Sequence, residues 1–123
     1  MDAAKKFDIH DRIFEFVIRV LHLIKVLPKT FENRVLLEQL IRSATSVGAN
    51  DQEADGVSSR RDFVHCYTIV RKEAKETLYW LQLLSKMNES FASRMIDLLR
   101  ENDELIKIVS SIIKNANKGK LVD

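Results

Sequence analysis

Apolar side chains recur along this chain in steps of three and four, the period of an amphipathic α-helix, in four separate stretches. In the first, over about residues 8–27, Ile9, Ile13, Phe16/Val17, Val20, Leu23/Ile24 and Leu27 form one stripe, and Arg12, Glu15, Arg19 and Lys25 fall elsewhere on the wheel. Pro28 ends it, because proline lacks an N–H and pushes the preceding residue out of the helical region. The second stretch, about 30–54, opens at Thr30 as N-cap and carries Leu37, Leu40, Ile41, Ala44, Val47 and Gly48. Its segment Ser43–Ala49 is small or β-branched throughout, and Gly48 alone costs about 1 kcal/mol of helix propensity relative to Ala. Small side chains also let a neighbouring helix come close, which offsets that cost by packing.

Residues 55–58 read as a turn, with Gly56 expected at positive φ as the helix terminator. Ser59 and Asp62 have capping-box spacing at the head of a third helix, about 59–87. Its main stripe is Phe63, Tyr67, Val70, Ala74, Leu78 and Leu81; a second, offset stripe is Ile69, Trp80, Leu83 and Met87. Two apolar stripes exceed what a monomeric bundle needs and predict a subunit interface. The fourth helix, about 89–116, steps 3-4-3-4 through Met95, Leu98, Asn102, Leu105, Val109, Ile112 and Ala116, an a/d heptad with one polar interruption. The tail from Lys118 is expected to fray. Long amphipathic helices with short connections predict an all-α, antiparallel up-down-up-down four-helix bundle, a single domain over residues 1–123.

Composition sharpens this. Among 123 residues there are 3 Gly and 1 Pro, too few turn formers for a sandwich or barrel. The net charge of +2 rules out a histone-like polycation, so any nucleic-acid contact must come from a local patch. Cys66, the one cysteine, excludes an internal disulfide and a zinc framework; it reads as a buried small hydrophobe and makes the cytoplasm the expected compartment. The charged start, Met1 to Lys6, does not read as a signal peptide, and no apolar run approaches the ~20 residues of a membrane span.

Candidate chemistry is sparse. Helix bundles that hold two metals use Glu-x-x-His pairs, and none occurs here, so no metal or cofactor is expected. Arg60 and His65 have the Arg-x4-His spacing of some helical ribonucleases, in which histidine serves as general base on a ribose hydroxyl and arginine stabilises the phosphorane. So short a pattern arises easily by chance, and non-catalytic is the stronger expectation. Arg42, Ser46, Asn50 and Glu53 share one edge of the second helix. In an antiparallel hairpin Arg42 comes level with Glu73, and Glu53 with Arg61, which reads as a structural polar network setting register. The positive charge is uneven: residues 58–87 hold 6 basic and 3 acidic side chains, against 8 and 9 in residues 1–57 and 6 and 6 in residues 88–123. The excess is Arg60, Arg61, Arg71, Lys72, Lys75 and Lys86. Lys72, Lys75 and Lys86 lie on the far side from the apolar stripes, with Tyr79 and Gln82 between them, as a phosphate-tracking face or an ordinary solvated one would.

One segment is distinctive. Leu40 through Asn50, then Glu53, Gly56, Ser59 and Asp62-Phe63, contain the line Arg42-Ser43-x-x-Ser46-x-x-Ala49-Asn50-x-x-Glu53. With Lys72-Glu73-Ala74-x-Glu76-Thr77-x-Tyr79-Trp80-Leu81 and the ending Glu104-Leu105 through Ile112-Ile113-Lys114, the chain resembles the bacterial four-helix-bundle family of 23S ribosomal RNA intervening sequences. That resemblance implies ring-shaped homo-oligomers, pentamers, and no nuclease activity. It extends to the accessory proteins of diversity-generating retroelements, which bind nucleic acid and a reverse transcriptase through a basic surface; the modest charge here departs from that group. The expectation is a non-catalytic, homo-oligomeric, RNA- or DNA-associated accessory protein encoded in an intervening sequence or similar element. The alternative is a protein–protein scaffold without nucleic-acid affinity.

Overall fold

The computed structural model describes residues 8–118. The described chain is all-α: α1 (Ile9–Val26), α2 (Phe31–Asp55), α3 (Arg60–Met87), a 3₁₀ turn (Glu89–Phe91) and α4 (Ala92–Asn117). The fraying expected beyond Lys118 lies outside the described residues.

Local chemistry explains the ends. The Asp8 carboxylate accepts from the backbone N–H of His10 and Asp11, the Thr30 hydroxyl from Asn33, and the Ser59 hydroxyl from Asp62, so α1, α2 and α3 each begin at a side-chain cap. Lys29 Nζ reaches back to the carbonyls of Ile24 and Leu27 at 2.7 and 2.6 Å and closes α1 beside Pro28. Gly56 departs from expectation: it caps α2 at φ −99°, ψ −3°, so the turn is made without the left-handed conformation. The fourth helix also starts later than its pattern suggests. Glu89–Phe91 wind as a 3₁₀ turn, and α4 begins at Ala92 without a side-chain cap.

Side-chain register shows the directions. His10 near the start of α1 meets Asp51 near the end of α2. Arg42 and Asp51 of α2 meet Glu73 and Tyr67 of α3, in reversed order. Arg19 and His22 of α1 share a groove with Arg94 and Asp97 of α4. Each of these pairs is antiparallel, compatible with up-down-up-down order.

The core is the set of stripes read above: Ile13, Phe16, Val20, Leu23 and Leu27 from α1 and its end; Leu37, Leu40, Ala44 and Val47 from α2; Tyr67, Val70, Ala74 and Leu81 from α3; Met95, Leu98, Leu105 and Val109 from α4. Several positions differ: Leu78, on the main stripe of α3, is only half-buried, and Leu84, on neither stripe, is fully buried. Ile41 is exposed, on the edge of α2 beyond the buried stripe. Ile113, not Ile112, is the buried residue of the last turns of α4, because a straight helix drifts from a strict seven-residue repeat. Met87, at the end of the second stripe of α3, is 56% exposed.

The small-residue segment of α2 behaves as close-packing surface. A Cβ added at Gly48 would stand 3.4 Å from Val17 Cγ2, so α1 lies against the bare backbone there. Ser43 and Thr77 meet in the buried α2–α3 seam, Thr77 Oγ1 to Ser43 Oγ 2.8 Å. Asn102, fully buried in α4, is satisfied on α3: its amide donates to the Ala74 carbonyl at 3.1 Å and accepts from Leu78 N at 2.9 Å. The heptad interruption therefore ties α4 to one height on α3. Asn33 and Asn88 do the same at the opposite end of the α2–α3 pair through a reciprocal amide pair at 2.8 and 3.0 Å.

Candidate functional site

The cations of α3 divide by direction. At about 100° per residue, Arg61, Thr68, Lys72, Lys75, Tyr79, Gln82 and Lys86 fall within a narrow sector opposite the core-facing side. All seven are exposed. From Arg61 to Lys86 this line runs about 38 Å along the helix at 1.5 Å per residue. Arg60 and Arg71 are on its flank, Arg71 half-buried and Arg60 beside Asn117 of α4. Four of the six basic residues singled out from the sequence thus share one outward line, and the other two border it.

The cations of the line lack ion-pair partners among the described residues: Arg61, Lys72, Lys75 and Lys86, with Arg71 on the flank, make no ion pair, whereas Arg12, Arg42, Arg100 and Lys107 do. Glu76 stands four residues after Lys72, where it would ordinarily take the lysine in an i,i+4 pair. Instead it is bound by Arg42 of α2. Arg42 also reaches Glu73 at 3.4 Å. One α2 guanidinium therefore engages both mid-helix carboxylates of α3, the buried Glu73 and Glu76 at the edge of the outer face. Lys72 and Lys75, and Arg71 and Lys75, are left as like-charge neighbours three and four residues apart, an arrangement that costs a helix a few tenths of a kcal/mol per pair. Arg71, Lys72, Lys75, Glu76, Thr68 and Tyr79 line one shallow depression on this face.

The polar strip expected on α2 separates into parts. Arg42–Glu73 forms as anticipated, and Glu73 is a buried carboxylate that needs it. Asn50 Nδ2 turns back to Ser46, to its carbonyl at 3.0 Å and its hydroxyl at 3.2 Å. Glu53 is exposed and makes no ion pair with Arg61 among the described residues. Arg61 belongs to the outward line of α3, which turns it away from α2. Arg60 and His65 are also kept apart: five residues on a helix place them roughly 140° apart around the axis. His65 is exposed.

The most highly organised polar group is one the pattern reading did not single out. Asp51 of α2 is 1% exposed. Its carboxylate accepts from the Tyr67 hydroxyl at 2.6 Å, and His10 Nδ1 lies 2.9 and 3.0 Å from its two oxygens. The hydrogen bond to Asp51 raises the His10 pKa, against a lowering by partial burial. Burial, followed by the bond to Asp51, pushes the Tyr67 phenol far up, so it stays a donor. Phe63 stacks on the Tyr67 ring at 4.6 Å. Asp55 lies 3.9 Å from His10 Nε2, and Asp8 adds to the negative field. The cluster clasps three helices, and two of its members, His10 and Asp51, line an apolar cleft of about 270 Å³ between α1 and α2 with Phe14, Val17, Thr45, Gly48 and Ala49. A signal was present: 44, 47, 51, 54 continues the helical stepping of the α2 core, so Asp51 occupies a core position. Among the described residues no group of His, Cys, Asp and Glu has the arrangement of a metal site. No helix there is long and apolar enough to cross a membrane.

Comparison with known proteins places this architecture. The model of the 23S rRNA-intervening sequence protein family matches residues 5–111. The crystal structure of a protein of unknown function from the S23 ribosomal protein family of Bacteroides thetaiotaomicron is similar at 36% identity, over 87% of this chain and 99% of that one, with a TM-score of 0.79. No curated protein matches the chain. The family match spans most of the sequence, from the α1 stripe to the last heptads of α4, and the chain belongs to the 23S rRNA-intervening sequence protein family.

Proposed function

We propose that this protein is a non-catalytic, homo-oligomeric accessory protein of the cytoplasm that binds RNA through the outer face of α3. The observation that carries this reading is the cationic line Arg61, Lys72, Lys75 and Lys86, which makes no ion pair among the described residues while Arg42 engages Glu73 and Glu76. A helix that tolerates like-charged neighbours while its own carboxylates are diverted is arranged for a polyanion. The family's name, which ties it to ribosomal RNA genes, agrees with that chemistry. Binding of this kind is driven by phosphate charge and RNA shape, with little base-specific readout.

Self-association is supported by the second stripe of α3. Trp80 and Leu83 are only half-buried and Met87 is exposed. A second copy of the chain would cover the exposed part of this stripe. A ring, the pentamer that the family resemblance implies, would repeat the modest α3 charge around an axis so that the fields add.

The same stripe favours a second reading, a scaffold that binds proteins alone. The two separate in one experiment: nucleic-acid-free protein of known oligomer mass is titrated with a labelled structured RNA at 50 and 200 mM salt. The proposal expects binding that weakens steeply with salt. An intact oligomer that fails to bind RNA even at the lower salt leaves the scaffold. Cleavage of the RNA lost in His65→Ala would instead establish the ribonuclease reading.

A further inference from the structure

Tyr79 interrupts the cationic line of α3 at its centre. Tyr79 is 53% exposed, in a sector otherwise made of cations and the polar Thr68 and Gln82. The ring is held in place: it meets Trp80 edge-on, centroids 5.0 Å apart at 62°, and Trp80 is half-buried. Lys75 precedes it by one helical turn, and Lys72 and Lys86 are two turns away on either side, about 10 Å along the axis. Thr68, in the same depression, spends its hydroxyl on the Val64 carbonyl at 2.8 Å. Glu76, the carboxylate nearest this ring in sequence, is engaged by Arg42.

Lysines alone track the phosphates of duplex and single strand alike. An aromatic face adds something only an unpaired base can use, because in a duplex both faces of each base are covered by its stacked neighbours. We infer that the outer face of α3 takes an unpaired nucleic-acid strand, one base stacked on Tyr79 and the flanking phosphates on Lys72, Lys75 and Lys86. This rests on the nucleic-acid reading above and narrows its ligand from structured RNA in general to loops, bulges and single-stranded ends.

The test compares oligo-uridylate with a blunt RNA duplex of equal phosphate number, at 150 mM salt, for the unaltered protein, Tyr79→Ala, Tyr79→Phe and the double variant Lys72→Glu/Lys75→Glu. Circular dichroism confirms that each is folded. The single strand is expected to bind at least tenfold more tightly than the duplex. Tyr79→Ala should lose roughly tenfold on the single strand and nothing on the duplex, Tyr79→Phe should retain the preference, and the lysine variant should weaken both. An oligo-deoxythymidylate arm identifies the strand: tighter binding of the uridylate assigns RNA, the reverse assigns DNA. Equal affinity for duplex and single strand, or an unchanged Tyr79→Ala beside a weakened lysine variant, overturns the stacking inference and leaves the phosphate-binding reading standing. Failure of the unaltered protein to bind either RNA removes both.

Discussion

The His10–Asp51–Tyr67 cluster and the outer face of α3 handle charge in opposite ways. In the cluster a carboxylate is taken out of water, and every neighbour is arranged to satisfy it: a phenol held protonated by burial, and an imidazole whose protonation the carboxylate favours. On the outer line of α3, Arg61, Lys72, Lys75 and Lys86 remain in water and make no ion pair among the described residues, and Glu76, one turn from Lys72, is engaged by Arg42. Desolvation explains the difference. A buried charge without partners costs several kcal/mol, so selection for folding completes its shell. A solvated charge costs little alone, so folding imposes no partner. Complete shells therefore point to structure, and incomplete ones on the surface leave room for a ligand.

The largest expected break in this contrast is Asp51→Ala. It strands the Tyr67 hydroxyl in the interior and frees His10, and urea unfolding should show a loss of about 3 kcal/mol. Tyr67→Phe removes one of the two donors and should cost about 1–2 kcal/mol. A change within 0.5 kcal/mol for Asp51→Ala, on the order of a neutral surface substitution, would mean the cluster is not a clasp.

Arg42→Ala sharpens the other side. It returns Glu73 and Glu76 to the field of α3, so RNA affinity at low salt should fall roughly threefold although Arg42 itself lies off the cationic line. Unchanged affinity, measured by fluorescence anisotropy, would show that the diverted carboxylates do not matter.

The pH dependence of stability is a smaller effect. The His10 pKa is raised above its ordinary 6.5 in the folded protein. The stability it contributes is complete below about pH 6.5 and is lost as pH rises through the elevated value. The groups facing it are Asp51 and Asp55 of α2, Tyr67 of α3, Asp8 at the start of α1, and Glu104 and Lys107 across the groove to α4. His10→Gln should flatten the stability profile between pH 6 and 8, as read by denaturant midpoints; an unaltered slope would assign the pH dependence elsewhere.

Gly48→Ala is the smallest. The added methyl meets Val17 at ordinary contact distance, and the gain in helix propensity should leave the protein unchanged or up to about 1 kcal/mol more stable. Clear destabilisation would show that α1 lies against α2 more tightly than the structure has it.

What was legible in the sequence follows the same division. Apolar periodicity located α1 and α2 to within a residue or so, and Thr30 and Ser59 were readable as caps because their hydroxyls act locally. The start of α4 was not readable, since no side chain caps it and a 3₁₀ turn precedes it. The α3 basic face was legible because exposure and helical phase are both one-dimensional. The clasp was not. His10, Asp51 and Tyr67 are separated by 41 and 16 positions along the chain, and their association is set by how three helices pack. Asp51 at a core phase signalled that a partner existed, but not which one. Glu53 and Arg61 illustrate the converse: hairpin register placed them level, yet rotation of Arg61 onto the outer line separates them.

The most direct test of the central claim is the salt dependence of RNA binding for the unaltered protein and Lys72→Glu/Lys75→Glu, with Arg100→Glu of α4 as a control. A plot of log affinity against log salt should be steep for the unaltered protein and the control. For the double variant it should be weaker throughout and shallower by about 1.4, the change expected when two phosphate contacts to an unpaired strand are lost. Binding that ignores salt, or a double variant that matches the control, would contradict the assignment of the α3 face.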